Sequence, residues 1–238
     1  MKRNAILFSA AFCAALPFMP VVHAATWDAT ADFNLGTTTN PNGAWSYGYS
    51  PGAVAGYSFK AFDQYSSAGG VLHWEDSVYG SLRAPTFYKN NTLAAFNGLA
   101  PGMVALHPGP AANTDRAILR FTAPATDFYT IVGQFFDGDS GETDASIVKN
   151  EDFGTQLASL GFTSLNPTFA LNGIALNAGD RIDFVVGNVG NFFFDTTPLS
   201  VRISSASGPI PEPGTLLMAA MGLGLLGGSK RRHMKPAA

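Results

Sequence analysis

The fold is decided by the stretch RIDFVVG at Arg181–Gly187. In an extended segment, alternate residues of this stretch point to opposite sides. One side is entirely apolar and consists of Ile182, Phe184 and Val186. The other side consists of Arg181, Asp183 and Val185. This alternation predicts a β-strand in a sheet with one buried side, and the turn residues NAGD at 177–180 precede it.

Short β-prone segments recur along the rest of the chain, separated by Gly, Pro, Asn and Ser. They lie at 116–122, 127–136, 145–149, 168–171 and 199–204, with further ones at 57–62, 71–74 and 86–89. Only 152–160 is helix-like, for one or two turns. Long amphipathic helical patterns are absent from the sequence, so we predict an all-β fold. Two antiparallel sheets packed as a sandwich of jelly-roll type fit this pattern.

The N-terminus has the composition of a secretory signal peptide. Lys2 and Arg3 precede an apolar stretch over 5–18, and small residues around Ala24 offer a cleavage point. We therefore expect a signal helix at 1–24, export through the Sec translocon and removal by signal peptidase. The β-sandwich domain is then expected at 25–207.

The segment 208–238 combines three features in a fixed order. Pro211, Glu212 and Pro213 come first, the apolar run 215–228 follows, and the basic cluster Lys230, Arg231 and Arg232 comes last. The apolar run predicts a C-terminal transmembrane helix, and the basic cluster is expected to stay in the cytoplasm. This order predicts a removable sorting tail and not a part of the folded domain.

The tail resembles the PEP-CTERM sorting signal of Gram-negative bacteria. The resemblance implies that an exosortase, a membrane cysteine peptidase-transpeptidase, cuts near Pro-Glu-Pro, with Glu212 as a recognition residue. It also implies transient anchoring in the inner membrane, followed by a location at the cell surface or in the extracellular matrix. Proteins with this signal typically accompany exopolysaccharide production.

Charge and cysteine usage exclude several classes of function. Without its two ends, the chain keeps eight basic residues against sixteen acidic ones, a net charge of about −8. Nucleic acid is therefore excluded as a partner. The only cysteine, Cys13, lies in the signal peptide. The domain therefore has no disulfide, no catalytic thiol and no cysteine metal site, and we expect no cofactor other than calcium.

The middle of the chain resembles a β-sandwich domain of exported bacterial proteins that is similar in style to carbohydrate-binding modules. The segments that carry the resemblance are 42–48, 106–109, 117–124 and 179–187. The resemblance implies a sandwich fold, whereas function depends on the site that the fold carries.

Three aromatic residues form the candidate ligand site. Trp45, Tyr47 and Tyr49 alternate in WSYGY, so in an extended segment their rings project to one side. One hypothesis is a platform on which sugar rings stack, joined by Trp74. The alternative is that this side is the core, because large aromatic side chains are commonly buried.

The candidate metal site is the acidic turn DGDSGETD at 137–144. Its carboxylates belong to Asp137, Asp139, Glu142 and Asp144. Calcium takes six to eight oxygen ligands, which a glycine-bent acidic loop can supply. The alternative is a solvated hairpin tip, since turns of Gly, Asp and Ser need no ion.

No recognised catalytic motif occurs in the sequence, because the G-x-S-x-G elbow and phosphate-binding glycine loops are absent. The first hypothesis for function is therefore a non-catalytic surface or matrix protein that associates with exopolysaccharide. A polysaccharide-active hydrolase or lyase is the second, with a charged sheet surface around His73, Glu75 or His107. The third is a structural coat or adhesion subunit.

Overall fold

The computed structural model describes residues 24–33, 38–51, 56–110 and 115–206, without the side chains of 81 and 82. These residues form two antiparallel β-sheets, so the predicted all-β, two-sheet sandwich is confirmed. The predicted signal helix, transmembrane helix and sorting motif lie outside these ranges. Within the ranges, no helix has both the length and the apolar character needed to cross a bilayer.

Fourteen strands are present in the described ranges. In chain order they are β1 (Thr26–Asp28), β2 (Trp45–Ser50), β3 (Lys60–Ala61), β4 (Gln64–Ala68), β5 (Val71–Glu75), β6 (Thr86–Asn90), β7 (Val104–His107), β8 (Arg116–Thr122), β9 (Asp127–Phe135), β10 (Asp144–Lys149), β11 (Ala158–Phe162), β12 (Thr168–Leu176), β13 (Arg181–Gly187) and β14 (Thr197–Ser205). Two short 3₁₀ helices, Ser77–Leu82 and Thr163–Leu165, lie between strands.

The larger sheet has eight strands in the order β12-β9-β14-β7-β6-β5-β4, with β1 paired to β14. The smaller sheet has six, in the order β11-β10-β13-β8-β2-β3. Neighbours in the sheets are often distant in sequence, so the chain crosses repeatedly between the two layers.

The first and last strands of the described domain pair with each other. Trp27 lies opposite Ile203 in the antiparallel register of β1 and β14. Just before β1, the backbone N–H of Ser205 donates to the carbonyl of Ala25 at 3.0 Å, and the Ala25 N–H donates to Ser205 Oγ at 3.2 Å. The first and last described residues of the domain therefore lie next to each other.

Two of the predicted elements differ from the structure. The helix-like segment 152–160 is instead a turn followed by β11, because Leu157 N–H donates to the Ile147 carbonyl and ties this segment to β10. Asn150 and Glu151 form the bend with φ of 52° and 64°. In the predicted strand 57–62, only Lys60–Ala61 pairs.

The stretch RIDFVVG is a central strand of the smaller sheet, and its apolar side lies in the main core as predicted. The expectation that its other side faces solvent is wrong for Asp183 and Val185, which are fully buried. Val185 packs against Phe153 and its neighbours in a second apolar cluster outside the sheet. Asp183 is buried as the partner of Arg120. Only Arg181 is exposed.

Candidate functional site

The aromatic residues of the proposed sugar platform are core residues. Trp45, Tyr47, Tyr49 and Trp74 are each between 1% and 4% exposed. The Tyr47 ring stacks on Phe87 with centroids 4.6 Å apart, between the two sheets. The platform hypothesis is therefore corrected, because these rings offer no free surface to a ligand. The three rings of WSYGY do share one side of β2, as predicted, and that side faces the opposite sheet.

The structure contains a cavity of about 470 Å³ on the outward side of the larger sheet, which we call the outer cleft. Its walls are formed by Ala68, His73, Arg83, Ala84, Thr86, Tyr88, Phe96, Asn97, His107, Phe192, Phe193 and Phe194. The floor comes from three neighbouring strands, β5, β6 and β7. In each strand the alternate residues Trp74, Phe87 and Leu106 point into the core. The residues beside them therefore point outward into the cleft.

The strand register brings the two histidines of the described domain into this cleft. His73 lies opposite Tyr88, and Thr86 lies opposite His107, across the shared strand β6. The His73 and Tyr88 rings stack with centroids 5.4 Å apart. The sequence prediction of a charged sheet surface around these histidines thus named residues that do lie together, although Glu75 is not part of the cleft wall.

One wall of the outer cleft is apolar and comes from the loop between β13 and β14. Phe193 and Phe194 are 61% and 66% exposed. The Phe192 and Phe193 rings are 4.4 Å apart, and Phe96 contributes from the loop after β6. Large exposed aromatic side chains beside a cavity are typical of ligand sites.

The pKa values of both cleft histidines are lowered, which disfavours their charged form. Burial, together with the positive charge of Arg83, lowers the pKa of His73 to about 4. Burial also lowers the pKa of His107. His107 Nδ1 donates to the Pro108 carbonyl at 2.8 Å, which leaves Nε2 as a hydrogen-bond acceptor. His73 Nδ1 is buried and has no hydrogen-bond partner.

A cation stands at the edge of the cleft. Arg83 follows the 3₁₀ helix Ser77–Leu82 with a left-handed φ of 50°, and its side chain is partly exposed. Its Nε lies 4.0 Å from Oε2 of Glu75, which is buried. Glu75 is itself held by Ser66, whose hydroxyl donates to Oε1 at 2.9 Å. Arg83 is therefore oriented while its charge stays accessible.

Sequence reasoning missed Phe193, Phe194, Arg83 and Tyr88. The run NFFFD at 191–195 was the available signal, because three consecutive aromatic residues in a loop are unusual for solvent-facing chain. Arg83 carried no comparable signal, since its position depends on the turn after Ser77–Leu82.

The acidic turn joins β9 of the larger sheet to β10 of the smaller one, so it is not a hairpin tip. Its carboxylates point to different partners. Asp144 pairs with Arg116 at 3.2 Å, Glu142 accepts from the Ser164 hydroxyl at 2.8 Å, and Asp139 accepts from the Thr196 N–H at 2.9 Å. Asp137 is exposed. No group of three or more His, Cys, Asp or Glu side chains in the described ranges is placed to hold a metal, so the predicted set of four calcium ligands is not assembled.

Comparison with known proteins identifies the tail. The PEP-CTERM protein-sorting motif matches residues 209–232, which contain the Pro-Glu-Pro sequence and the Lys230–Arg232 cluster. The chain is therefore an exported protein that is anchored in the membrane before exosortase processing, as is typical of Gram-negative bacteria. No curated protein sequence matches the chain.

Among solved structures, the chain is similar to a GH26-CBM35 β-(1,4)-mannanase from Podospora anserina, with 12% identity and a TM-score of 0.29. The match covers 79% of this chain and 29% of the mannanase chain. At this TM-score the similarity indicates neither a ligand nor an activity.

Proposed function

We propose that this exported protein is a non-catalytic component of the cell surface or extracellular matrix that binds exopolysaccharide in the outer cleft. The observation that carries the proposal is the pair of exposed rings, Phe193 and Phe194, beside a cavity whose floor is polar. Sugar rings present C–H faces that stack on aromatic side chains, and their hydroxyls need hydrogen-bond partners. The cleft supplies both kinds of contact.

The hydrogen-bonding groups suit a saccharide in their protonation state. The neutral imidazole of His107 offers an acceptor at Nε2, and the guanidinium of Arg83 offers several donors at the rim. Arg83 is also suited to a carboxylate or another anionic substituent on the sugar. A neutral or acidic polysaccharide therefore fits better than a cationic one.

The pKa of His73 supports binding over catalysis. A general base works best when its pKa is near the working pH. Burial and Arg83 lower the pKa of His73 to about 4, so this imidazole is a weak base at neutral pH. Its depressed pKa favours a role as a neutral hydrogen-bonding group.

Retention on polysaccharide tests the proposal. The full chain in mild detergent is passed over immobilised polysaccharide from the producing bacterium. Replacing both rings, Phe193→Ala with Phe194→Ala, is expected to weaken binding at least about fivefold, because two stacked rings together contribute about 1–3 kcal/mol. Phe128→Ala is the matched control, since Phe128 is also exposed but lies outside the cleft. No retention of the wild type, or equal retention of all three proteins, would contradict the proposal.

A polysaccharide-active hydrolase or lyase is the second candidate, because His73 and His107 share the cleft. In that case Nε2 of His107 acts as the general base and accepts the proton that the reaction releases. Release of new reducing ends from the polysaccharide, lost in His107→Gln, would support this function. Binding without such release would support the non-catalytic proposal.

A further inference from the structure

Asp195 is a buried carboxylate that nothing in the described structure neutralises. It precedes β14 and is 1% exposed. Both of its carboxylate oxygens are buried and lack a hydrogen-bond partner. Burying an ionised carboxylate without donors is costly, so such a group ordinarily pairs with a cation, a proton or a metal.

The surroundings of Asp195 are rich in oxygen atoms. A side chain at Gly141 would collide with Oδ1 of Asp195 and with the carbonyl oxygens of Phe193 and Phe194. These three oxygens therefore converge on the turn between β9 and β10. The Gly141 N–H donates to the Phe194 carbonyl at 2.7 Å, which holds the turn against the Phe193–Phe194 loop.

The charges near Asp195 are negative. Burial, together with the negative charges of Asp139 and Glu142, raises the pKa of Asp195 to about 7. Among the described residues, no ion pair includes any of these three acids. A positive charge is therefore the missing partner of this cluster, which we call the Asp195 cluster.

We propose that the Asp195 cluster binds a calcium ion, with the Asp195 carboxylate as its central ligand and backbone carbonyls of the Phe193–Phe194 loop as further ligands. Asp139 and Glu142 supply the negative charge around the ion. Since no three acidic or histidine side chains in the part of the chain that the structure describes are placed to hold a metal by themselves, the ligand set includes backbone carbonyls and water. Calcium accepts such mixed and irregular oxygen sets, whereas magnesium demands near-octahedral geometry.

The position of the ion links it to the outer cleft. The same loop that carries Asp195 presents Phe193 and Phe194 to the cavity. An ion between this loop and the acidic turn fixes the cleft wall. Calcium is therefore expected to strengthen saccharide binding, a consequence that rests on the proposed function.

Calcium binding is measured first without any saccharide. The full chain, stripped with EGTA, is titrated with calcium by calorimetry, and thermal unfolding is recorded with and without the ion. We expect saturable binding of one ion with a Kd of about 10⁻⁴ to 10⁻³ M, as in other extracellular calcium modules. Asp195→Asn should weaken it at least tenfold and remove the thermal shift. Magnesium should bind at least tenfold more weakly than calcium.

Two variants make the outcome decisive. Asp152→Asn, at an exposed carboxylate on another turn, should bind calcium like the wild type. Glu142→Gln keeps the buried Asp195 and should weaken binding by a smaller factor than Asp195→Asn. A wild type that binds no calcium at about 10 mM would overturn the proposal, as would unchanged binding by Asp195→Asn. An Asp195→Asn variant that is as stable as a calcium-insensitive wild type would show that Asp195 is simply protonated.

The proposed calcium site and the proposed saccharide binding can be refuted independently of each other. Saturable calcium binding with no retention on polysaccharide contradicts only the saccharide proposal. Retention that is identical in calcium and in EGTA contradicts only the link between the ion and the cleft.

Discussion

Replacing Asp183 by alanine is expected to destabilise the domain by about 4 kcal/mol, because it leaves the charge of Arg120 buried without its main partner. Arg120 donates two hydrogen bonds to the Asp183 carboxylate, from Nε at 2.7 Å and from Nη2 at 2.8 Å. Asp183 has no exposed surface, and Arg120 is nearly as buried. Removing one member of such a pair costs about 3–5 kcal/mol.

The contacts that Arg120 and Asp183 make with other residues also affect the expected loss of stability. Arg120 keeps an ion pair with Glu151 at 2.9 Å and lies 3.9 Å from the centre of the Phe59 ring, which lowers the cost. The hydroxyl of Tyr57 donates to Asp183 at 2.9 Å and loses this acceptor, which adds about 1 kcal/mol. The two effects have opposite signs.

Urea unfolding followed by tryptophan fluorescence measures the loss. All three tryptophans, Trp27, Trp45 and Trp74, lie in the described domain, so the signal reports on this fold alone. Arg181→Ala is the control, because Arg181 also pairs with Glu151, at 3.0 Å, but is 47% exposed. Its expected loss is below about 1 kcal/mol.

A loss below about 1 kcal/mol for Asp183→Ala would refute this reasoning, since that is the value of an exposed pair. The double variant Arg120→Met with Asp183→Leu supplies a second check. Removing both charges leaves no unpaired ion, so the double variant should be more stable than Asp183→Ala.

Two further predictions concern pH and export. The pKa of His73 is about 4 in the folded protein against 6.5 for an ordinary histidine, so the unfolded chain takes up the proton first as the pH falls. The free energy of unfolding should therefore decrease by about 3 kcal/mol between pH 6.5 and pH 4. Urea unfolding at a series of pH values measures this decrease, which should be smaller for the His73→Gln variant. Replacing Glu212 and both flanking prolines by alanine should stop exosortase processing, so that immunoblotting finds the uncut chain in the inner membrane; normal processing would contradict the assigned recognition role.

The sequence predicted which residues of a strand share a side, but not what covers each side. In RIDFVVG the apolar side was found because its residues alternate. The cover over Asp183 and Val185 comes from Tyr57, Phe59 and Phe153, which are distant in sequence. No local pattern contains that information. The same limit applies to Trp45. The alternation in WSYGY shows that its ring shares a side with Tyr47 and Tyr49, but it does not show that the other sheet covers that side.

The outer cleft depends on register and on loop position, which explains why it was only partly predicted. His73 and His107 meet because β6 pairs with both of their strands. Phe193 and Phe194 belong to a loop without regular structure, where alternation gives no direction for a side chain. Asp195 is adjacent to them in sequence, yet its burial depends on contact with the turn around Gly141.

The pairing of β1 with β14 has a consequence for the order of assembly during export. Thr26 lies opposite Ser204 across the sheet, so the eight-stranded sheet is complete only when nearly the entire domain has been exported. Until then the first strand has no neighbour. Contacts of such long sequence separation also make folding slow. The domain is thus expected to cross the membrane as an open chain and to close on the far side, next to the point where the sorting tail begins.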